Sequence, residues 1–185
     1  FDPAFEQLMS EEGAVLRMAG RGADLENFRY QLCQAMLGLR RQLARAGIVA
    51  VIPEMELGGQ FAGGELNGFA DLVLQKKGGG RALVDMKWSG AKKYPEKLRQ
   101  NRHLQLAIYA ELLRQKEGAW PAVAYYILDR GRFFAPDNTT FPDAEVAASQ
   151  SGENTAQLWL RFIETWKWRR AQIEDGAFEV ALESI

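Results

Sequence analysis

The spacing of apolar residues is typical of a helix in some segments of the chain and of a strand in others. Over residues 24–46 apolar side chains recur every three or four positions, which predicts an amphipathic helix. We expect Asp24 to cap its N-terminus and Gly47 to end it. Three later segments have the composition of strands: 48–57, 66–75 and 81–88. The short glycine-rich connections between them predict an antiparallel meander.

The second half of the chain predicts a crossover to another strand. Residues 95–117 contain no helix breaker after Pro95 and predict one continuous helix. The apolar segment 123–128 predicts a strand buried on both faces, which would return beside the third strand. Residues 136–153 are typical of a loop, and 154–175 of a final helix. The order helix, three strands, helix, strand, helix predicts an α/β domain.

Two glycine-rich stretches are expected to be connections. Residues 58–64 predict a turn between the first two strands, and residues 78–80 a tight link into the third.

Composition limits the classes of protein. The 185 residues carry a formal net charge of −1, so no overall basic field indicates nucleic acid, and one domain spanning 1–185 is expected. The only cysteine, Cys33, excludes an intrachain disulfide and a four-cysteine iron–sulfur cluster, and indicates a reducing, cytoplasmic location. No apolar run approaches the ~18 residues of a membrane span. Because the chain begins at Phe1, we expect it to be part of a longer protein.

Charged residues inside predicted strands indicate chemistry. Asp85 and Lys87 are two residues apart and must therefore share one face of their strand. Asp71 lies in the preceding strand, and neighbouring strands are about 4.8 Å apart. Two carboxylates at such a distance repel one another unless a cation lies between them, and oxygen ligands suit Mg²⁺. Lys87 could then hold a metal-bound water or stabilise charge on a phosphate.

The helix after this strand adds polar and basic residues. Arg102, Gln105 and Tyr109 are spaced by three and four positions, so in a continuous helix they share one face. Between Lys87 and His103 the basic residues outnumber the single acid, Glu96. Positive charge beside a metal site would favour a polyanionic substrate.

Three motifs together resemble RecB-like nucleases of the PD-(D/E)XK superfamily over about residues 50–130. In chain order they are Gly68-x-x-Asp71, Asp85-x-Lys87 and Gln105-x-x-x-Tyr109. The resemblance implies a restriction-endonuclease-like core, with a central mixed sheet of a three-strand meander and a strand after the crossover helix, flanked by helices. It also implies an Mg²⁺- or Mn²⁺-dependent DNA exonuclease or endonuclease. Several relatives hold an iron–sulfur cluster through four cysteines, which the single cysteine of this chain excludes. A role in repair or recombination and a helicase domain or subunit as partner would follow.

The resemblance also implies residue roles. Asp71, Asp85 and the backbone carbonyl of Met86 would bind the metal, and Lys87 would be catalytic. Gln105 and Tyr109 would shape the site and contact DNA. Four basic residues are candidates for further DNA contacts: Lys92, Lys93, Arg99 and Arg102. The family commonly has a histidine or glutamate on the first helix, where Glu26 is the nearest acid.

Other interpretations remain beside these. Asp85 and Lys87 alone could be a surface ion pair, and Glu54 and Glu56 either reach the site or lie at a solvated strand end. His103 is expected to be solvated. A further hypothesis is a catalytically weak DNA-binding or scaffolding module that keeps the nuclease fold, and a third is a metal-dependent hydrolase of another substrate.

The segment from Trp166 to Arg170 interleaves aromatic and basic residues. Trp159, Phe162 and Trp166 have helical spacing and are expected to cover the sheet. Trp168 points elsewhere and could stack on a base, pack against another domain or lie half-exposed.

Overall fold

The computed structural model describes residues 1–177 of the chain. The helices are α1 (Asp2–Glu11), α2 (Gly22–Arg45), α3 (Lys93–Arg99), α4 (Leu104–Glu117) and α5 (Thr155–Glu174). The strands are β1 (Ile48–Phe61), β2 (Gly64–Lys76), β3 (Arg81–Lys87), β4 (Ala122–Ile127), β5 (Arg132–Ala135) and β6 (Glu145–Val146). Within these residues no helix is both long and apolar enough to cross a bilayer.

The strands form one mixed sheet in the order β1-β2-β3-β4-β5-β6. The first three are antiparallel neighbours, and β4 lies parallel to β3 after the crossover through α3 and α4. The predicted meander and the position of the fourth strand are confirmed. The sequence patterns missed α1 and the short strands β5 and β6, which extend the sheet beyond β4.

Both faces of the sheet are buried. One apolar cluster packs α4 against the central strands through residues such as Leu106, Val73 and Leu83. The other joins the opposite face to α2, where Leu39 and Leu43 contribute. Each fully buried side chain of this size contributes roughly 1.5–3 kcal/mol through removal from water. The charged side chains at the end of β3 are therefore held by a rigid two-sided scaffold.

The turn between β1 and β2 is shorter than the predicted connection over 58–64. Strand pairing continues to Phe61 and Gly64, so the turn consists of Ala62 and Gly63, with φ of 53° and 86°. Positive φ at both central residues is typical of a tight hairpin turn. Gly59 instead allows close packing, because a Cβ there would lie 3.0 Å from Leu112 Cδ2. The predicted connection was too long because Gly59 continues β1 and allows packing against α4.

The predicted helix over 95–117 is interrupted between α3 and α4. Asn101 has a φ of 50°, outside the right-handed helical region. Its Nδ2 donates to Ser151 Oγ at 3.1 Å and to Glu153 Oε2 at 2.9 Å. These contacts with a distant loop favour the break over a continuous helix. As a result Arg102 precedes α4 and does not share a helix face with Gln105, contrary to the prediction.

The N-cap of α2 and the environment of His103 also differ from the predictions. Asp24 lies in the first turn of α2, whose N-cap is Arg21, whereas Gly47 follows the helix end as expected. His103 is only 2% exposed, so the prediction of a solvated side chain was wrong. Its Nε2 lies 3.3 Å from Thr155 Oγ1 at the start of α5. Burial lowers the pKa of His103 to about 4, against a weaker opposite effect of the Lys97 backbone.

We expect this histidine to make the fold sensitive to mild acid. The unfolded chain binds a proton at His103 near pH 6.5, whereas the folded chain binds it only near pH 4. The unfolded state therefore takes up more protons as the pH falls through this window, and stability is lost. Between pH 7 and 5.5 the loss should be about 1 kcal/mol.

Urea unfolding at these two pH values measures the effect. His103→Asn lowers stability at both pH values but should remove most of the pH dependence, because His103 is the only histidine. An equally steep pH dependence in the variant would show that other groups cause it.

Candidate active site

Asp71 lies where β2 and β3 separate. The last paired residues of these strands are Leu72 and Val84, so Asp71 and Asp85 occupy the next opposed position and share a face. Asp71 Oδ2 accepts a hydrogen bond from the backbone N–H of Met86 at 2.6 Å. A side chain thus satisfies a peptide group at the point where regular strand pairing ends. This bond ties the carboxylate of β2 to the backbone next to Asp85.

Asp85 and Lys87 form a close ion pair at the end of β3. Lys87 Nζ donates to Asp85 Oδ1 at 2.9 Å and lies 2.8 Å from Oδ2. Asp85 is 1% exposed, while 25% of the Lys87 side chain is exposed. Oδ2 receives no well-aligned hydrogen bond in the described part of the chain, despite the nearby ammonium. The carboxylate therefore retains an oxygen that could bind another cation.

The charges of the pair depend on burial and on each other. Burial raises the pKa of Asp85, and the hydrogen bond and charge of Lys87 only partly oppose this, while the charge of Asp71 raises it further. For Lys87 burial acts to lower the pKa, but the hydrogen bond and charge of Asp85, with the charge of Asp71, raise it overall. Lys87 is consequently held as an ammonium group at neutral pH. It offers positive charge and hydrogen-bond donors.

The oxygen atoms at this point fit a hard divalent cation. Two carboxylates from adjacent strands converge, one of them deeply buried with an incompletely satisfied oxygen. Among residues 1–177 no group of three or more His, Cys, Asp or Glu side chains is arranged to hold a metal ion. A cation here would therefore be bound by few protein side chains and would keep several waters, which is the usual coordination of Mg²⁺.

Helix α4 covers the same face of the sheet. Tyr109 is half-buried against the apolar cluster there and packs on Gly68, where a Cβ would lie 2.9 Å from Tyr109 Cε1. Glycine at this position thus lets the tyrosine ring approach β2 three residues before Asp71. Gln105 lies one turn earlier on the same helix face and is exposed. Its role beside the carboxylates stays a prediction.

The other acidic candidates lie apart from the two carboxylates. Glu26 is on α2, its side chain is 71% exposed, and its Oε2 lies 3.8 Å from Arg29. The same helix contacts the end of β3, because the Phe28 and Trp88 rings are 5.0 Å apart. Glu54 is exposed and adopts a φ of 47°, between Pro53 and Met55 of β1. The structure thus brings α2 and β1 close to the site, but no acid of residues 1–177 joins Asp71 and Asp85 as a third metal-binding carboxylate.

The predicted DNA-contacting residues divide into two groups. Arg99 pairs with Glu96 at 3.4 Å, while Lys92 and Arg102 are exposed. Lys93 instead lies beside the ring of Tyr94, together with Lys97. Sequence analysis did not select Tyr94 or Lys97 as site residues. The i, i+4 spacing of the two lysines was the available signal, because it places them on one helix face.

The C-terminal aromatic residues lie elsewhere. Trp159, Phe162 and Trp166 surround Phe61 at the tip of the β1–β2 hairpin, with ring centroids 5.2–5.7 Å from that of Phe61. They cover the hairpin and α4 more than the centre of the sheet. Trp168 is 55% exposed, and the Arg169 guanidinium lies 4.7 Å from its ring centroid.

Comparison with known families identifies the superfamily of the chain. The sequence model of the PD-(D/E)XK nuclease superfamily matches residues 4–183. The chain belongs to this superfamily. Its members typically use divalent metals. The resemblance to the superfamily is confirmed, whereas the RecB-like assignment within it stays a prediction.

Comparisons with individual proteins do not refine the assignment beyond the superfamily. No curated protein matches the sequence significantly. A solved structure from Eubacterium rectale, described as a candidate exonuclease, is similar with 14% sequence identity and a TM-score of 0.46. The match covers 96% of this PD-(D/E)XK chain and 66% of that chain. The present chain thus spans just under two thirds of the length of that protein.

Proposed function

We propose that this domain hydrolyses DNA phosphodiester bonds with Mg²⁺ or Mn²⁺ bound by Asp71 and Asp85, as an exonuclease or endonuclease. The observation that carries the proposal is the arrangement of Asp85. Its carboxylate is buried beside a second acid and an ammonium group, although burial alone would favour an apolar residue. Such a costly arrangement is typical of a functional site.

Each residue has a distinct role in the proposed reaction. A bound divalent cation would supply Lewis acidity and lower the pKa of a coordinated water. Asp71, oriented by the Met86 N–H, and Asp85 would hold the cation, with the Met86 carbonyl as the third protein oxygen. Lys87 stabilises the negative charge that develops on the phosphoryl oxygens. Gln105 and Tyr109 shape the adjoining surface and contact the DNA.

The wider setting is also part of the proposal. Residues 1–185, of which 178–185 lie outside the described part, form one nuclease domain of a longer cytoplasmic protein that acts in DNA repair or recombination. A helicase domain or subunit is the proposed partner. The three motifs shared with RecB-like nucleases support this setting, and the single cysteine is consistent with a branch that lacks the iron–sulfur cluster.

A catalytically weak DNA-binding module is the second candidate. It is favoured by the position of Glu26, which faces solvent and pairs with Arg29. If a third acidic ligand is required for tight metal binding, this chain would keep the fold and lose most of the activity. The two candidates make opposite predictions for cleavage and the same prediction for DNA binding.

A cleavage assay tests the proposal. We expect end-labelled single- or double-stranded DNA to be cut in Mg²⁺ or Mn²⁺, and cutting to stop when EDTA removes the metal. Asp71→Asn is the matched inactive control, because it preserves shape and removes one anionic ligand. Cleavage that continues in EDTA or in Asp71→Asn would contradict the proposed site. DNA binding without cleavage in any divalent metal would favour the weak module.

A further inference from the structure

Three lysine ammonium groups surround one aromatic ring next to the ion pair of β3. The Nζ atoms of Lys87, Lys93 and Lys97 lie 5.9, 5.7 and 5.4 Å from the centroid of the Tyr94 ring. An aromatic face attracts each cation electrostatically. The ring therefore gathers lysines from β3 and α3 that would otherwise repel one another.

Tyr94 is itself fixed by the core. Its ring packs on that of Tyr125 in β4, with centroids 4.8 Å apart, and it contacts the apolar cluster beneath α4. Tyr125 is only 2% exposed, so this support is rigid. The three ammonium groups are consequently arranged around a fixed point.

Two of these lysines form no ion pair with the acids of residues 1–177. Lys87 is paired with Asp85, but neither Lys93 nor Lys97 makes an ion pair in the described part of the chain. The acid nearest in sequence, Glu96, is bound by Arg99 and Gln100. Two lysines without an ion-pair partner thus lie within reach of one ring and near the carboxylates. An anion bound between them would relieve their mutual repulsion.

We propose that Lys93 and Lys97, positioned by Tyr94, bind a backbone phosphate of the nucleic-acid strand next to the bond that is cut. This inference rests on the proposed function and adds the substrate group that the surface recognises. Ammonium groups bind phosphate as point charges, and a phosphate contact carries no sequence information, so the contact is independent of sequence. Tyr94 acts through the lysines and is a positioning residue.

The position of the lysines would place the nucleic-acid strand so that one of its phosphates lies at the carboxylates. Lys97 Nζ lies 5.4 Å from the centroid of the Tyr94 ring, and Lys87 contacts both that ring and Asp85. A phosphate held by Lys93 and Lys97 would thus belong to the same strand as a phosphate that reaches Lys87. Binding at one phosphate would present its neighbour to Asp71 and Asp85.

The test measures DNA binding without cleavage. A fluorescent single-stranded oligonucleotide is titrated in EDTA at several salt concentrations between about 50 and 200 mM. For Lys93→Ala/Lys97→Ala we expect affinity to fall about tenfold and the slope of log affinity against log salt to shrink by about 1. The control, Lys76→Ala/Lys77→Ala, removes the same charge at the far end of β2 and should leave the slope unchanged.

Substitutions at Tyr94 test its positioning role. Tyr94→Phe keeps the ring and should bind as the wild type does, whereas Tyr94→Leu should lose part of the affinity. Thermal unfolding of both variants separates this loss from misfolding. Weak binding by Tyr94→Phe as well would contradict the role of the ring.

The outcomes separate this inference from the proposed activity. Equal salt slopes for the Lys93/Lys97 variant and its control, or no binding by the wild type at the lowest salt, overturn the phosphate site. A protein that binds as expected in EDTA but never cuts DNA keeps the phosphate site and loses the proposed catalysis. In a cleaving protein, the double variant should raise KM several-fold and change kcat little.

Discussion

Asp85→Asn is expected to abolish DNA cleavage while the domain stays folded. The amide keeps the shape of the buried side chain but removes the negative charge, and a neutral amide is a poorer partner for a hard dication. Asp85 faces Asp71 and lies beneath Lys87. Within residues 1–177 there is no three-ligand group of acids that could take over its role. We expect cleavage to fall by on the order of 10³-fold or more.

The effect of Asp85→Asn on stability should be smaller. Removing one partner of a buried pair can cost about 3–5 kcal/mol when the remaining charge stays buried. Lys87 is 25% exposed, so its ammonium group can turn toward water after the substitution. Burial also raises the pKa of Asp85, which shows that the ionised form carries a desolvation cost that the amide avoids.

Calorimetric titration with Mn²⁺ and single-turnover cleavage measure both parts of this prediction. Asp143→Asn is the matched control, because it makes the same chemical change in a carboxylate that pairs with Arg45 on the other side of the sheet. Asp85→Asn should bind Mn²⁺ weakly, and Asp143→Asn normally. Normal metal binding and cleavage by Asp85→Asn would place the site elsewhere.

Lys87→Ala should slow the chemical step without weakening metal binding. Lysine is not a metal ligand, and removal of its positive charge reduces repulsion toward a divalent cation. Metal affinity should therefore stay level or rise. Loss of the ammonium group removes a positioned charge from the developing negative charge on phosphate, so the chemical step should slow by on the order of 10²–10³-fold.

Separate measurements of the chemical step and of DNA binding distinguish Lys87 from the neighbouring lysines. Single-turnover rates at saturating DNA report the chemical step, and anisotropy in EDTA reports binding. Lys93→Ala serves as the comparison, with weakened binding and a nearly unchanged chemical step. If Lys87→Ala cleaves at the wild-type rate, Lys87 is a bystander and its contact with Asp85 is only an ion pair.

Local spacing was sufficient to predict the central part of the fold. Strand side chains alternate with a period of two, so Asp85 and Lys87 had to share a face in any strand, and their contact at 2.9 Å follows from this rule. The dense apolar segment of β4 could only be accommodated between two layers, and both of its faces are buried. Patterns with such strong local causes predicted the meander, the crossover and the convergence of Asp71 with Asp85.

Patterns that depend on a partner elsewhere in the chain were misinterpreted. Glycine permits both a turn and a close approach of another element, and the sequence does not say which of these Gly59 serves. In the same way, a lone histidine such as His103 has no periodic signal that distinguishes a buried position from a solvated one. Each of these depends on what packs against it.

The sequence by itself thus determined the order of the first four strands, the shared face of the acidic and basic residues, and the superfamily. Tertiary structure decided where the helix between β3 and β4 breaks, because Asn101 binds Ser151 and Glu153 some fifty residues away. It also decided that Lys93 and Lys97 meet Lys87 around one ring, because Tyr94 packs on Tyr125 across the crossover. The physical reason is range: backbone periodicity acts over a few residues, whereas side-chain hydrogen bonds and aromatic packing join residues that only the folded chain brings together.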